Sequence, residues 1–192
     1  MAAHRHRDAD RAVPGLAPVS DRVAWAAGTA GTILRTTDGG RDWQSVGPAD
    51  AAALQFRDIE AFDARSAVAL TIGNGTDSRL YATADGGKSW TETFRNEDPN
   101  AFYDCVTFLD RRHGLALSDP VDGKFRILAT SDGGRSWAVR SPKGCRPRWT
   151  ASSPSRPAGP AWCRRVVEPG SLPAVDRRPG SSPRPTAAGA GR

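Results

Sequence analysis

Three aspartates at a fixed spacing form the one pattern in this chain that could carry chemistry. Asp38, Asp85 and Asp132 lie 47 residues apart, and each is followed by two glycines and then by a tryptophan. A carboxylate beside glycines can accept hydrogen bonds from backbone N–H groups within a tight turn, because glycine reaches positive φ at little cost. Such a turn folds a hairpin and presents no nucleophile to a substrate. We therefore predict that these aspartates are structural.

The aspartates belong to a longer repeat, Thr-x-Asp-Gly-Gly-x-x-Trp. Runs rich in β-branched, aromatic and small apolar residues flank each copy, and no stretch shows sustained helical periodicity. The sequence therefore predicts three units of four short strands each, at about residues 15–47, 54–95 and 101–142. The residues that define the three turns are Thr36, Asp38, Gly40, Trp43, Thr83, Asp85, Gly87, Trp90, Thr130, Asp132, Gly134 and Trp137.

The repeat resembles the Asp-box, or BNR repeat, of sialidases and other β-propellers. The resemblance covers about residues 15–142 and implies an all-β fold, a partial β-propeller with three four-stranded blades. Four other stretches are similar to the photosystem II stability/assembly factor-like group, whose bacterial members are often labelled oxidoreductase or glycosyl hydrolase. These stretches are Phe56-Arg57-Asp58, Arg95-Asn96-Glu97-Asp98, Ala101-Phe102-Tyr103-Asp104-Cys105 and Ser118-Asp119-Pro120-Val121-Asp122-Gly123.

Five residues in the family-like stretches are not needed to build an Asp-box, and they are the candidates for a binding surface. They are Tyr103, Asp104, Asp119, Asp122 and Arg126. A simpler interpretation of residues 119–123, which we favour, is a hairpin loop made of suitable turn residues. The resemblance also implies a parent protein with roughly twice as many repeats, enough to close a ring. It places that parent outside the cytoplasm, either secreted or associated with the cell envelope.

The resemblance favours a non-catalytic scaffold whose intact parent binds a protein or glycan partner. The alternative is a fragment of a BNR or sialidase-type glycosyl hydrolase that has lost its active residues. A sialidase needs an arginine cluster, a tyrosine nucleophile paired with a glutamate, and an acid for proton transfer. Tyr81 and Tyr103 are the two tyrosines of the chain, and the sequence shows no evident glutamate partner for either.

Cofactor and metal sites are not predicted. No glycine-rich nucleotide fingerprint opens a helix, and His4, His6 and His113 do not form a ligand set. Cys105 lies in an apolar strand-like run, where we expect a buried, inert thiol. The N-terminus lacks the apolar core of a secretory signal and no segment is apolar enough to span a bilayer, so the chain as written is expected in the cytoplasm.

The charge of the chain changes abruptly after Pro142. Residues 1–142 carry 17 Lys and Arg against 19 Asp and Glu, whereas residues 143–192 carry 10 against only two. A nucleic-acid surface requires basic residues on a folded face. The basic residues are concentrated in the unpatterned tail, so we expect no nucleic-acid partner.

Residues 143–192 contain nine of the 15 prolines and show no period. This composition is typical of a disordered tail, and we expect disorder also at residues 1–14. A further interpretation, which we favour, is a shifted reading frame that begins near Lys143. Each codon of the shifted frame consists of the last base of one codon and the first two bases of the next. Read in this frame, the codons for Glu168 to Val175 can encode Ala-Trp-Phe-Ala-Thr-Gly-Gly. That string is similar to the residues that come after an Asp-box in the family.

Overall fold

The computed structural model describes residues 12–140, and the predictions for residues 1–11 and 143–192 lie outside this range. Three antiparallel sheets, here called blades, follow one another along the chain. Blade 1 consists of β1 (Gly15–Pro18), β2 (Ala24–Ala27), β3 (Ile33–Thr36) and β4 (Gln44–Ser45). Blade 2 consists of β5 (Gln55–Ala61), β6 (Ala67–Ile72), β7 (Arg79–Thr83) and β8 (Thr91–Arg95). Blade 3 consists of β9 (Tyr103–Phe108), β10 (Gly114–Ser118), β11 (Ile127–Thr130) and β12 (Ala138–Arg140).

Each blade is a simple meander in which sequential strands are neighbours. The first strands β1, β5 and β9 contact one another in turn, so successive blades lie side by side along their inner strands. Two short 3-10 turns, at Ala49–Ala51 and Gly75–Asp77, are the helical elements of the described chain. This architecture confirms the predicted all-β fold and the partial propeller with three four-stranded blades.

Each copy of the Thr-x-Asp-Gly-Gly-x-x-Trp repeat, called the Asp-box here for its resemblance to that motif, closes the turn between the third and fourth strands of its blade. In blade 2, the Thr83 hydroxyl donates to Asp85 Oδ1 at 2.9 Å and accepts from the Gly87 N–H at 3.0 Å. Asp85 accepts in addition from the backbone N–H of Ser89 at 3.0 Å and from its hydroxyl at 2.6 Å. Blade 3 repeats these contacts through Thr130 and Asp132. These bonds hold the pKa of the Asp85 carboxyl well below its usual range, with the Ser89 hydroxyl as the largest cause.

The core of the molecule lies between the blades. We call the face of a blade that looks toward the preceding blade its leading face and the opposite face its trailing face. Between blades 1 and 2, the trailing face supplies Trp25 and Ile33, and the leading face supplies Ile59 and Tyr81. Between blades 2 and 3, the corresponding cluster includes Leu70, Leu80, Val106 and Leu128. Because a four-stranded sheet cannot cover its own faces, each blade depends on its neighbours for burial.

The tryptophan of an Asp-box is the main link to the preceding blade. The Trp90 indole N–H donates to the backbone carbonyl of Val46 in blade 1, at 2.6 Å, and its ring meets Trp25 edge-on at 6.2 Å between centroids. In the same way, the Trp137 indole donates to the Thr93 hydroxyl of blade 2 at 3.2 Å. The hairpin turn and the packing between blades therefore share one residue.

The second glycine of the Asp-box permits this close approach. Gly87 has φ of +81°, and a Cβ at that position would lie 2.7 Å from Val46 Cβ and 2.9 Å from its carbonyl oxygen. Any side chain there would force blade 2 away from blade 1, in addition to the strain of positive φ. Gly134, with φ of +83°, approaches Val68 of blade 2 in the same manner.

Cys105 is buried in β9, next to Leu117 and Phe125. The sequence predicts a buried, inert thiol at this position. Burial is observed, but Cys105 is disulfide-bonded, so the expectation of a thiol is wrong. The chain contains two other cysteines, Cys145 and Cys163, which lie outside the described residues.

The two roles of the Asp-box tryptophan lead to a matched comparison. We expect Trp90→Ala to lower the free energy of unfolding by about 2–4 kcal/mol, because it removes a large side chain packed between two blades. Trp43→Ala should cost less than about 1 kcal/mol, because Trp43 is 41% exposed. Urea denaturation followed by far-UV circular dichroism measures both values. Equal losses would show that the tryptophan acts within its own turn and not between blades.

Candidate functional site

The five residues predicted for a binding surface lie at one end of blade 3, here called the rim and made of residues 96–104 and 119–126, but Tyr103 is buried there and is not itself a surface residue. Tyr103 begins β9, Asp104 follows it, and Asp119, Asp122 and Arg126 belong to the loop between β10 and β11. This loop meets the connection between blades 2 and 3 through a hydrogen bond from the Asp119 N–H to the Phe102 carbonyl, 2.8 Å long. In a meander, the β10–β11 loop lies at the end opposite the Asp-box turns, so the rim is a separate surface from the repeat.

An ion pair between Asp98 and Arg126 holds the centre of the rim. Asp98 also accepts from the Asn100 backbone N–H at 2.9 Å, which fixes its carboxylate within the connection after β8. The Arg126 backbone N–H donates to the Ser118 hydroxyl at 3.2 Å. The arginine is 39% exposed and the aspartate 23% exposed, so the pair faces solvent in part and is accessible to a partner.

Asn96 joins the β6–β7 loop to the connection between blades 2 and 3, the segment that carries Asp98 of this ion pair. Its side-chain amide is buried and donates to the carbonyls of Gly75, Asp98 and Ala101 at 2.8–3.0 Å. An asparagine amide has two N–H donors, so these contacts use its full capacity with one hydrogen shared. Asn96 is not among the rim residues predicted from the sequence, although it lies in a stretch that carries the family resemblance. The feature that could have identified Asn96 from the sequence is its position as a polar residue directly after a predicted strand.

Ser78 also links separate segments at the rim, through its buried hydroxyl. Its hydroxyl donates to the Gly73 carbonyl at 2.7 Å and accepts from the Tyr103 backbone N–H at 3.1 Å. Ser78 is fully buried, so both contacts are shielded from water. Together, Asn96 and Ser78 join the β6–β7 loop, the connection between blades 2 and 3, and the start of β9. The rim is therefore a fixed surface in which backbone polar groups are satisfied.

Tyr103 supports the rim from below. Its ring is 2% exposed and packs edge-on against Phe94, with centroids 5.5 Å apart. Burial raises the pKa of the Tyr103 phenol, Arg126 acts in the opposite direction, and Asp98 raises it further. The phenol is neutral at physiological pH, so it is suited to hydrogen bonding and packing.

Asp104 and Asp122 occupy special backbone positions. Asp104 is the extra residue of a β-bulge in β9, where the register with β10 shifts between Leu117 and Ser118. A bulge turns the side chain of its extra residue out of the strand alternation. Asp122 has φ of +52° and, with Gly123, forms a two-residue hairpin closed by bonds between Val121 and Lys124. That hairpin is the turn expected from Asp-Gly, and it presents Asp122 at the tip of the rim.

Tyr81 has a glutamate partner that was not evident from the sequence. Its hydroxyl donates to Glu92 Oε2 at 3.4 Å across β7 and β8, and Arg79 and Arg95 contact the same carboxylate. The arginines, Arg95 first, lower the pKa of Glu92, whereas burial raises the pKa of the Tyr81 phenol. A nucleophile is activated by a lowered pKa or by an adjacent general base, and the raised pKa of Tyr81 does not supply the first. The pair also lies on the outer strands of the blade, and its contacts stabilise the sheet.

Asp58 is the most strongly buried carboxyl of the described chain, at 4% exposure. One oxygen accepts from the Ile59 N–H at 3.0 Å and the other from the Val106 N–H of blade 3 at 2.9 Å. Burial is the largest influence and raises its pKa to about 6. Both oxygens accept from the backbone, so Asp58 ties the inner strands of two blades together.

The described residues contain no group of three or more His, Cys, Asp or Glu side chains that could hold a metal ion. Across residues 12–140, no helix is long and apolar enough to cross a membrane. The fold of residues 12–140 is that of a partial β-propeller, and the rim is the candidate site on it.

Comparisons with solved structures support this fold. A structure of YCF48 bound to D1 peptide has a TM-score of 0.54 at 17% identity, and the match covers 67% of this chain and 40% of that one. YCF48 from Cyanidioschyzon merolae has a TM-score of 0.52 at 20% identity, covering 68% of this chain and 40% of that one. At these identities the likeness shows the fold alone.

A GH74 enzyme from Niastella koreensis has a TM-score of 0.47 at 18% identity, covering 65% of this chain and 17% of that one. No protein-family model and no curated protein matches the chain. The chain spans about 40% of the length of the YCF48 chains that it resembles.

The environment of Asp58 leads to a pH test. The folded pKa is about 6 and the ordinary value is 3.8. Between these values the folded state binds more protons, so the free energy of unfolding should rise as the pH falls from 7.5 to 5. We expect a rise on the order of 1 kcal/mol, measured as a shift of the urea midpoint.

Asp58→Asn should abolish this rise, because the amide does not titrate. Asp63→Asn is the matched control: Asp63 lies on the surface and its pKa is lowered, chiefly by the Arg65 backbone N–H, so that variant should keep the rise. An unchanged pH dependence in Asp58→Asn would mean that another group is responsible.

Proposed function

We propose that this chain is part of a non-catalytic propeller scaffold, and that the rim around Asp98 and Arg126 binds a protein partner. The observation that carries the proposal is the construction of the rim. Buried Asn96 and Ser78 hold the β6–β7 loop, the connection between blades 2 and 3 and the start of β9 in place, while the partly exposed ion pair joins that connection to the β10–β11 loop. A pre-organised polar surface of this kind loses little conformational entropy when a partner binds.

The neighbouring YCF48 structure supports a protein partner for a propeller of this type, since that propeller is bound to a D1 peptide. For this chain we infer only that the rim binds a protein partner through polar contacts, and not which protein it binds. Arg126 can offer a carboxylate or a carbonyl two parallel N–H donors, and Asp98 can accept from a backbone N–H or a basic side chain. An extended peptide presents both kinds of group. A glycan is the other candidate partner, because its hydroxyls can bond to the same pair.

The binding proposal is tested with a phage-displayed library of random linear peptides, selected on the immobilised chain. We expect the selected peptides to bind Arg126→Ala and Asp98→Asn at least about tenfold more weakly than the unchanged chain, a loss of roughly 1.4 kcal/mol. Arg135→Ala is the control, because Arg135 is an exposed arginine in the Asp-box turn at the opposite end of blade 3. Equal binding to all variants would exclude the rim as the site.

The runner-up function is that of a glycosyl hydrolase fragment, and Tyr81 beside Glu92 is the one contact that favours it. The same preparation is therefore incubated with a fluorogenic sialoside and other fluorogenic glycosides. The scaffold proposal expects no release of the fluorophore. Turnover that disappears in both Tyr81→Phe and Glu92→Gln would replace the scaffold with the hydrolase.

We further propose that the intact parent contains more blades and that residues 143–192 arise from a shifted reading frame. The abrupt change in charge and proline content after Pro142, and the propeller-like string permitted across Glu168 to Val175, support this proposal. The DNA across codons 138–176 should encode that string in the shifted frame. Stop codons in that frame, or a different string, would contradict it.

A further inference from the structure

The loop between β6 and β7 contains the one asparagine–glycine pair of the chain, Asn74 and Gly75. The backbone nitrogen of the residue after an asparagine can attack the side-chain amide carbon, and asparagine is thermolabile for this reason. Glycine favours the attack, because it has no Cβ to hinder the approach and restricts the backbone least. The chain contains two other asparagines, Asn96 and Asn100, which serve as internal comparisons.

The structure leaves Asn74 open to this reaction. Its side chain is exposed, and within residues 12–140 its amide makes no hydrogen bond. The Gly75 N–H likewise donates to no acceptor in that range. Asn74 has an extended backbone, with φ of −76° and ψ of 144°, so the attack requires a rotation about ψ. That rotation breaks the bond from the Asp77 N–H to the Asn74 carbonyl, which is long at 3.3 Å and therefore weak.

The other two asparagines are protected in different ways. Asn96 is 3% exposed, and its amide donates to three backbone carbonyls, so its side chain is fixed. Asn100 is exposed, but the nitrogen that would attack it belongs to Ala101. The Ala101 N–H donates to the Asp98 carbonyl at 3.1 Å, and its Cβ adds steric hindrance. The fold therefore makes Asn74 the most reactive of the three asparagines.

We propose that Asn74 is a modification site, at which the chain deamidates without an enzyme. The Gly75 nitrogen forms a bond to Asn74 Cγ, the side-chain amide nitrogen leaves as ammonia, and a succinimide results. Water then opens the ring at one of its two carbonyls, which gives either aspartate or isoaspartate at position 74. The sequence of steps consumes one water and releases one ammonia, and it involves no change of oxidation state.

The modification alters a contact that supports the rim. Isoaspartate adds one carbon to the main chain directly before Gly75. The Gly75 carbonyl accepts from the Asn96 amide at 3.0 Å and from the Ser78 N–H at 3.2 Å. Either product also places a new negative charge on the loop that carries Asp77. We therefore expect the modification to loosen the contact between the β6–β7 loop and residues 96–104.

The test incubates the folded chain in mildly alkaline buffer and follows it by tryptic digestion and mass spectrometry. Cleavage after arginine places Asn74 in the peptide 66–79, and Asn96 and Asn100 together in the peptide 96–111. We expect the peptide 66–79 to convert several times faster than 96–111, and an isoaspartate methyltransferase should label it. Its rate in the folded chain should lie within about tenfold of that of the synthetic peptide, because a single weak hydrogen bond shifts an opening equilibrium by no more than that order.

Two matched variants assign the conversion to one residue. Asn74→Gln keeps the amide but closes a larger ring more slowly, so conversion of the peptide 66–79 should be lost over the same period. Asn100→Gln should leave that conversion unchanged. A folded chain in which 66–79 stays unconverted while the synthetic peptide converts, or in which Asn100 converts first, overturns the proposal.

Amide hydrogen exchange measures the effect on the rim. Residues 96–103 should exchange faster in the incubated chain than in the fresh one, whereas the Asp-box turn at residues 83–90 should be unchanged. Incubated Asn74→Gln should show no increase at residues 96–103. Equal exchange in the fresh chain and in a fully converted chain would contradict the expected loosening.

Discussion

The packing of one blade against the next is the constraint on which the rest of this structure depends. A four-stranded meander exposes two apolar faces, and neither face can be buried within the blade itself. The indole of Trp90 helps to cover the face of the preceding blade. The Asp-box fixes the hairpin turn, and the turn places the indole over that blade. Local hydrogen bonding and long-range burial are thereby coupled in one motif of eight residues.

The polar rim depends on the same packing. Ser78, in the β6–β7 loop of blade 2, accepts from the backbone N–H of Tyr103 in blade 3, a contact that forms only when the two blades are packed together. Asn96 ties the same β6–β7 loop to the connection that leads into blade 3. The ion pair between Asp98 and Arg126 likewise joins the connection before β9 to a loop of blade 3. A binding surface built at a junction between blades is as rigid as the interface below it, which is the basis for treating the rim as pre-organised.

The sequence predicts the blades well because the determinants are local and repeated. Each Asp-Gly-Gly turn marks the end of a third strand, and the fixed spacing of Asp38, Asp85 and Asp132 gives the number of blades in the described chain. The Asp-Gly hairpin at Asp122 was predictable for the same reason, since the turn depends on two adjacent residues. The contacts at the candidate site were harder to predict because they depend on the register of the strands. Tyr81 lies opposite Glu92 only because a bulge shifts the pairing of β7 and β8 between Leu80 and Tyr81.

Asp58 illustrates the other limit of sequence reasoning. A carboxylate within a strand could be a catalytic group, a surface residue or a buried link between blades, and the sequence does not distinguish these three cases. The structure distinguishes them through the Val106 N–H, which belongs to the next blade and lies 48 residues further along the chain. The pKa of Asp58 is raised because the interface between blades 2 and 3 buries its carboxyl group. The same dependence on a neighbouring blade explains why Leu16 and Trp43, whose interface has no partner within the described chain, remain exposed.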